Sequence, residues 1–228
     1  VKLFSPDLLL RKLRKNSDLL KTKSTAVVAR HQTIRSTVQW SYDLLDAEEQ
    51  PLFQQLSLFS GGFTPEALEA VCPEHDSLEV IASFFNKSLL VKGEEVHDSP
   101  RFRMLKLIRD YGREQLDGNP EKDTYQRRFA QYYLNFLEKG EAKLRSPEQA
   151  RWIALMEAEY ENIGIALKWL LKNDTSGACC LGARFWRYFL ILGFMQEALN
   201  MLKTLLSTPV PEKSMQAKLL EGAGGLSY

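Results

Sequence analysis

Apolar residues recur along most of this chain at three- and four-residue intervals, the spacing of one face of an α-helix. Ser5-Pro6-Asp7 is a helix-start signal followed by Leu8, Leu9, Leu13 and Leu20, and the polar, then small and β-branched run from Thr22 to Ala29 reads as a linker. A helix is expected over 33–45, with Ile34, Val38, Leu44 and Leu45 apolar and Trp40 in the middle. Leu52, Phe53, Leu56 and Phe59 form the next stripe. Asp46 to Glu49 has the form of a capping box, but Pro51 leaves two starts open: a helix beginning near Gln50, or Asp46 capping a separate turn. Gly61-Gly62 is expected to end that helix. Thr64-Pro65-Glu66 begins another, which runs to about Cys72, and Ser77 opens one ending near Asn86.

The pattern then changes. Ser88 to Val91 reads as a strand, Gly93 to Pro100 as a polar turn, and Arg101 to Met104 as a returning strand. Three helices followed by a β-hairpin is the element order of a winged-helix domain. A helix over 105–116 closes it, with Leu107, Ile108, Tyr111 and Leu116 inward; Trp40, Tyr42, Phe53, Phe59, Phe63 and Leu107 are the expected core.

From Pro120 onward every strong pattern is helical. Phe129, Tyr132, Tyr133, Phe136 and Leu137 make an amphipathic stripe, and Ser146-Pro147 starts a further apolar face that runs from Trp152 to Leu171 across two helices. Two more span 179–192 and 194–206 around Gly193. Gly193, Ala198, Leu202 and Leu205, with Pro209 and Pro211 after them, sit at offsets similar to a tetratricopeptide (TPR) helix pair, and 215–226 would open the next unit. An ordinary helical bundle fits the same pattern. The expected fold is thus mainly α: a winged helix of three helices plus a hairpin wing, followed by an α-helical TPR-like bundle or solenoid. Helical patterns are already under way at Val1 and still running at Tyr228, so a chain extending past both ends is expected.

Charge adds an asymmetry. The net charge of +1 combines nine Lys/Arg against two Asp in residues 1–35, a balance of +7, with −6 over the remainder. A basic arm of this kind can attract nucleic acid or an acidic partner, or it can be a solvated helix face with a linker. Three cysteines, two of them adjacent, give no disulfide framework and suggest a reducing, cytoplasmic setting. No apolar run reaches the ~18 residues of a membrane span.

Catalytic chemistry is not evident. The chain has no G-x-x-x-x-G-K-[ST] loop to cradle a triphosphate. Cys72 and His75 share one metal-like spacing without a second pair, and Cys179-Cys180 fits an apolar helix face. The helix that would enter a DNA groove, Ser77 to Lys87, holds one lysine, one asparagine and one glutamate and is otherwise mostly apolar. The wing sets Glu94, Glu95 and Asp98 against Lys92. Such a surface repels phosphates, so direct binding of nucleic acid is not expected, and burial against protein is.

RHQTIRSTVQWSYDLL (30–45), LFQQLSLFSGGFTPEALEAVC (52–72) and RFRMLKLIRDYGREQL (101–116) resemble the winged-helix part of bacterial signal-transduction ATPases of the STAND or NB-ARC regulator type, including AfsR/LuxR-like transcriptional regulators. EYENIGIALKW (159–169) resembles the helical segment that follows in many of them. The resemblance implies three parts: 1–29, the tail of an ATPase helical subdomain and a linker; 30–118, the winged helix; and 119–228, a TPR-like domain truncated at its C-terminus. It implies a non-catalytic regulatory and protein-interaction segment, with the winged helix relaying nucleotide state from an ATPase domain upstream in cis. The repeats would bind a protein or small-molecule inducer, and the parent could form a nucleotide-dependent homo-oligomer. ATP or ADP with Mg would belong to the intact parent and no cofactor to this segment. Many relatives place Met-His-Asp at the start of the helix after the wing; here those nucleotide-proximal positions are Met104, Leu105 and Lys106, so the histidine is missing. The alternative is a winged helix that binds DNA directly, in which case charge reversal at Arg11, Lys12, Arg14 and Lys15 should abolish binding.

Overall fold

The computed structural model describes residues 35–208 and 213–225. It divides into two compact units, residues 1–47 and 48–228. Of the first, the described part is a helix over 35–43 (α1) and the turn after it; Val38 and Tyr42 in the helix and Leu45 in the turn are buried, while Trp40 is 65% exposed. The α1 sequence carries two apolar stripes, and the one through Trp40 and Leu44 is the outer one, so Trp40 is not the core residue its size suggested. The leucine-rich pattern of residues 1–29, the basic arm up to Ile34, and Pro209 and Pro211 lie outside the described residues.

The second unit opens with α2 (Glu49–Leu56), α3 (Pro65–Val71) and α4 (Ser77–Asn86). Pro51 sits in the first turn of α2, where an N–H would have no helical partner anyway, so the proline is tolerated and the helix begins at Glu49. Thr64 caps α3 by accepting from the Ala67 amide at 3.3 Å, and Asp76 caps α4 by accepting from Leu78 and Glu79 at 2.9 and 3.0 Å.

The wing is short. β1 (Val91–Lys92) pairs antiparallel with β2 (Phe102–Arg103), two residues each where four were expected. Its tip is a two-residue turn with positive φ at His97 (48°) and Asp98 (63°), closed by the Val96–Ser99 bridge. A third rung comes from Phe63, which exchanges backbone hydrogen bonds with Phe102 at 2.8 and 2.9 Å. That rung explains Gly61-Gly62. They lie five and six residues past the end of α2 and do not cap it; Gly62 has φ +86°, and a Cβ there would stand 2.8 Å from the Phe102 carbonyl oxygen.

α5 (Lys106–Asp117) closes the winged helix against α2. Gly112 permits the approach, since a Cβ at that position would meet Ser57 Cβ at 2.7 Å and Phe53 Cε1 at 3.0 Å. Tyr111 and Leu116 are buried and Ile108 half-buried, but Leu107 is 40% exposed and does not belong to the core. It falls in the first turn of α5, ahead of the stretch that Gly112 brings onto α2.

A helical bundle follows: α6 (Lys122–Lys143), α7 (Gln149–Ala158), α8 (Tyr160–Asn173), α9 (Thr175–Leu192), α10 (Met195–Leu206) and α11 (Lys213–Gly225). The predicted α6 stripe is realised, with Phe129, Tyr133 and Leu137 buried and Tyr132 and Phe136 half-buried. Gly193 ends α9 at φ +79°, and α9, α10 and α11 each pack on the other two. The core is continuous from winged helix to bundle through a chain of tilted and edge-on aromatic contacts: Phe63–Phe59 at 5.0 Å, Phe59–Phe129 at 5.2 Å and Phe129–Tyr133 at 4.9 Å. Among the described residues no helix is long and apolar enough to cross a membrane.

Candidate functional site

Two features carry functional information: the outward face of the winged helix, and a polar node buried beneath the wing. In α4, Val80, Ile81 and Phe84 face the core. Residues one helical face away, Leu78, Ala82 and Phe85, point outward, with Leu78 66% and Phe85 49% exposed. Glu79 and Asn86 flank them, and Lys87 at the helix end is ion-paired with Glu49. At the wing, Glu94, Glu95, His97 and Asp98 are exposed and Lys92 pairs with Glu95 at 2.8 Å. The outward face thus presents an apolar stripe beside an acidic wing, and its two lysines, Lys87 and Lys92, are both ion-paired.

The buried node joins four elements. Arg101, just before β2, is 5% exposed and forms an ion pair with Glu159, 3% exposed, at the α7–α8 junction. The Arg101 Nη2 also donates to the carbonyl oxygens of Ala158 (3.1 Å) and Gly61 (3.3 Å). The second Glu159 oxygen accepts from the Tyr133 hydroxyl of α6 at 2.6 Å and from Asn162 Nδ2 at 2.7 Å. Asn162, fully buried, donates to the Gly62 carbonyl at 2.8 Å and accepts from the Ser60 amide at 2.7 Å. Burial, reinforced by the Glu159 carboxylate, pushes the Tyr133 phenol well above its usual range, which keeps it a hydrogen-bond donor. Around the node, Arg109 donates to the Ser60 carbonyl (2.6 Å) and Arg113 to those of Ser57 (2.9 Å) and Leu58 (3.3 Å), satisfying acceptors left open past the end of α2.

Glu159 and Asn162 lie in the segment EYENIGIALKW; Arg101 reads only as the start of a strand and Tyr133 only as part of the α6 stripe. An arginine at the edge of an apolar strand was the available hint. The network ties wing, loop and bundle together and leaves no reactive group open.

Met104, Leu105 and Lys106 lie at the start of α5. Met104 is 3% exposed, Leu105 offers no donor, and the exposed Lys106 ammonium is held by Asp110 at 2.5 Å. Of the three side chains only Lys106 could donate to a phosphate, and its ammonium is paired with Asp110. Cys72 and His75 have no further ligands, and among the described residues no group of three or more candidate ligands could hold a metal. Cys72 is 1% exposed, and burial, with Glu74 nearby, pushes its thiol up to about 12. Such a thiol is ionised at pH 8 to roughly one part in ten thousand. Native chain treated with iodoacetamide at pH 8 should therefore keep Cys72 unmodified, and brief urea treatment should expose it; mass spectrometry of the digest reads both, and rapid native labelling would contradict this burial.

Residues 45–117 match the winged helix-turn-helix domain family. A Mycobacterium tuberculosis (strain ATCC 25618 / H37Rv) protein named "Putative HTH-type transcriptional regulator Rv0890c" is 32% identical over 154 residues, covering 64% of this chain and 17% of that protein. Its Mycobacterium bovis (strain ATCC BAA-935 / AF2122/97) counterpart Mb0914c matches to the same extent. "Uncharacterized protein Rv0894" of Mycobacterium tuberculosis (strain ATCC 25618 / H37Rv) is 30% identical over 107 residues, 44% of this chain and 27% of that protein. The chain thus spans 17% of the length of the regulators it matches. No solved structure matches.

Proposed function

We propose that this chain is a regulatory segment of a larger cytoplasmic transcriptional regulator, in which winged helix and helical bundle act as one protein-docking body. The regulator part of this reading is supported by the winged helix-turn-helix match and by the name of the relatives. The docking part rests on one observation: the outward face of α4 presents Leu78, Ala82 and Phe85 beside an acidic wing. A contiguous exposed apolar stripe marks a surface that another protein covers. The finer relay, in which the segment reads ATP or ADP with Mg on an upstream ATPase domain and releases a homo-oligomer, rests on the resemblance of 30–72 and 101–116 alone. TPR-type repeats that bind an inducer rest on the spacing of Gly193, Ala198, Leu202 and Leu205.

A second reading has its own support. The relatives are named as helix-turn-helix regulators, which points toward nucleic acid and against the expectation drawn from the α4 composition. Fluorescence anisotropy with random duplex DNA, and with duplexes enriched from it by successive rounds of binding and recovery, separates the two. Docking predicts a Kd no tighter than the ~1–100 μM of non-specific binding at physiological salt. Sub-micromolar, sequence-selective binding that is abolished by reversing Arg11, Lys12, Arg14 and Lys15 would establish the DNA reading instead.

A further inference from the structure

The α8–α10 side of the bundle holds a cavity of about 440 Å³ whose lining is entirely glutamate and aromatic: Glu157, Glu161, Glu197, Tyr160, Tyr188, Phe189 and Phe194. We propose that it is a cation-binding cage that takes a lysine or arginine side chain from a partner polypeptide. This deepens the protein-docking reading and rests on it for the partner's class, but it involves different elements from the α4 face.

The chemistry is specific. Tyr160 and Phe194 are 45% and 52% exposed, so aromatic faces are presented to solvent where a packed core would hide them. The Tyr160 ring lies 6.4 Å from Tyr188 and 6.0 Å from Phe189, the latter pair nearly perpendicular at 77°, which gives walls at more than one angle. Aromatic faces carry negative quadrupole density and attract cations. The three carboxylates have no ion pair or side-chain hydrogen bond among the described residues, unlike Glu138 and Glu141, which pair with Arg184. Burial, with the Glu157 carboxylate next in effect, pushes the Tyr188 phenol up to about 12.

A polypeptide is favoured over a free small cation because the cage is half a groove. It shares Tyr160, Glu161, Phe189 and Glu197 with a second cavity of about 640 Å³, where Ile165, Phe185 and Met201 supply apolar walls. That second cavity is itself lined by Arg109, Arg113 and Lys168, whereas no cation lines the first, so an incoming cation is favoured at the Glu157–Glu197 end. Small-ligand sites enclose most of their ligand; an open groove with a charged cage beside an apolar trough suits a peptide segment.

The test uses the whole chain and a fluorescein-labelled peptide, Gly-Ser-Leu-Arg-Leu-Arg-Leu-Ser-Gly-Gly, against the same peptide with citrulline, the neutral isostere, in place of arginine. The arginine peptide should bind about tenfold more tightly or better. The double variant Glu157→Gln/Glu197→Gln should weaken it by a similar factor, and Phe194→Ala by several-fold, with circular dichroism unchanged. Glu66→Gln/Glu69→Gln, removing two exposed carboxylates from α3, should have no effect, nor should Leu78→Ser on α4. Equal affinity for the citrulline peptide, an unchanged Glu157→Gln/Glu197→Gln variant, or an equal loss from Glu66→Gln/Glu69→Gln would overturn the proposal. So would methylguanidinium competing as strongly as the peptide, which would make the ligand a small molecule. Loss of peptide binding through Leu78→Ser alone would move the docking surface to α4, leaving that reading intact and this one refuted.

Discussion

Glu159→Ala should cost about 3–5 kcal/mol of stability, read as a shift in urea midpoint, because it strands a buried guanidinium. Arg101 and Glu159 are 5% and 3% exposed, so their charges have left water and depend on each other. Without the carboxylate, Arg101 keeps only the carbonyls of Gly61 and Ala158, while Tyr133 and Asn162 lose an acceptor. Domains are stable by about 5–15 kcal/mol in total, so such a loss leaves the second unit near its folding limit. Glu159→Gln should cost less, since an amide oxygen still accepts from Tyr133. The double change Arg101→Met/Glu159→Leu should recover much of the loss, because it removes both charges together. A single-variant loss under about 1 kcal/mol would mean that the pair is solvated and the node is not what joins wing to bundle.

Phe59→Ala is expected to have a comparable effect, about 3–5 kcal/mol, by opening a cavity between winged helix and bundle. Phe59 is 2% exposed and its ring touches Phe63 on one side and Phe129 on the other. The informative readout is where protection is lost. Hydrogen exchange should accelerate together in β2, in α5 and in the middle of α6, as it does when one cooperative body is weakened. Exchange that rises in the wing alone, with α6 still protected, would show two separately folding halves and would undo the single-body docking reading.

Much of this architecture was legible because helices and hairpins declare themselves locally. The stripe Phe129, Tyr133 and Leu137, the caps at Thr64 and Gly193, and the polar turn between the wing strands all follow from spacing and turn chemistry over a few residues. The failures share one cause. Trp40 and Leu107 are apolar, and apolarity gives no information on which of two stripes faces inward. Gly61-Gly62 looked like a helix end, since glycine pairs usually are one; its role depends on Phe102, about forty residues away. The candidate sites divide the same way. The composition of α4 predicted an apolar face, and Leu78 and Phe85 are exposed as part of one.

By itself, then, the sequence determined the mainly helical class, the order of helices and wing, and the apolar composition of α4, because each is set by periodicity or by side-chain type along a short stretch. Only the tertiary structure decided that Arg101 meets Glu159 across 58 residues, and that three glutamates and four aromatic rings from α7 to α10 share one cavity. Such groups are brought together by the burial of apolar faces elsewhere in the chain, and their own local patterns carry no record of the partner they meet.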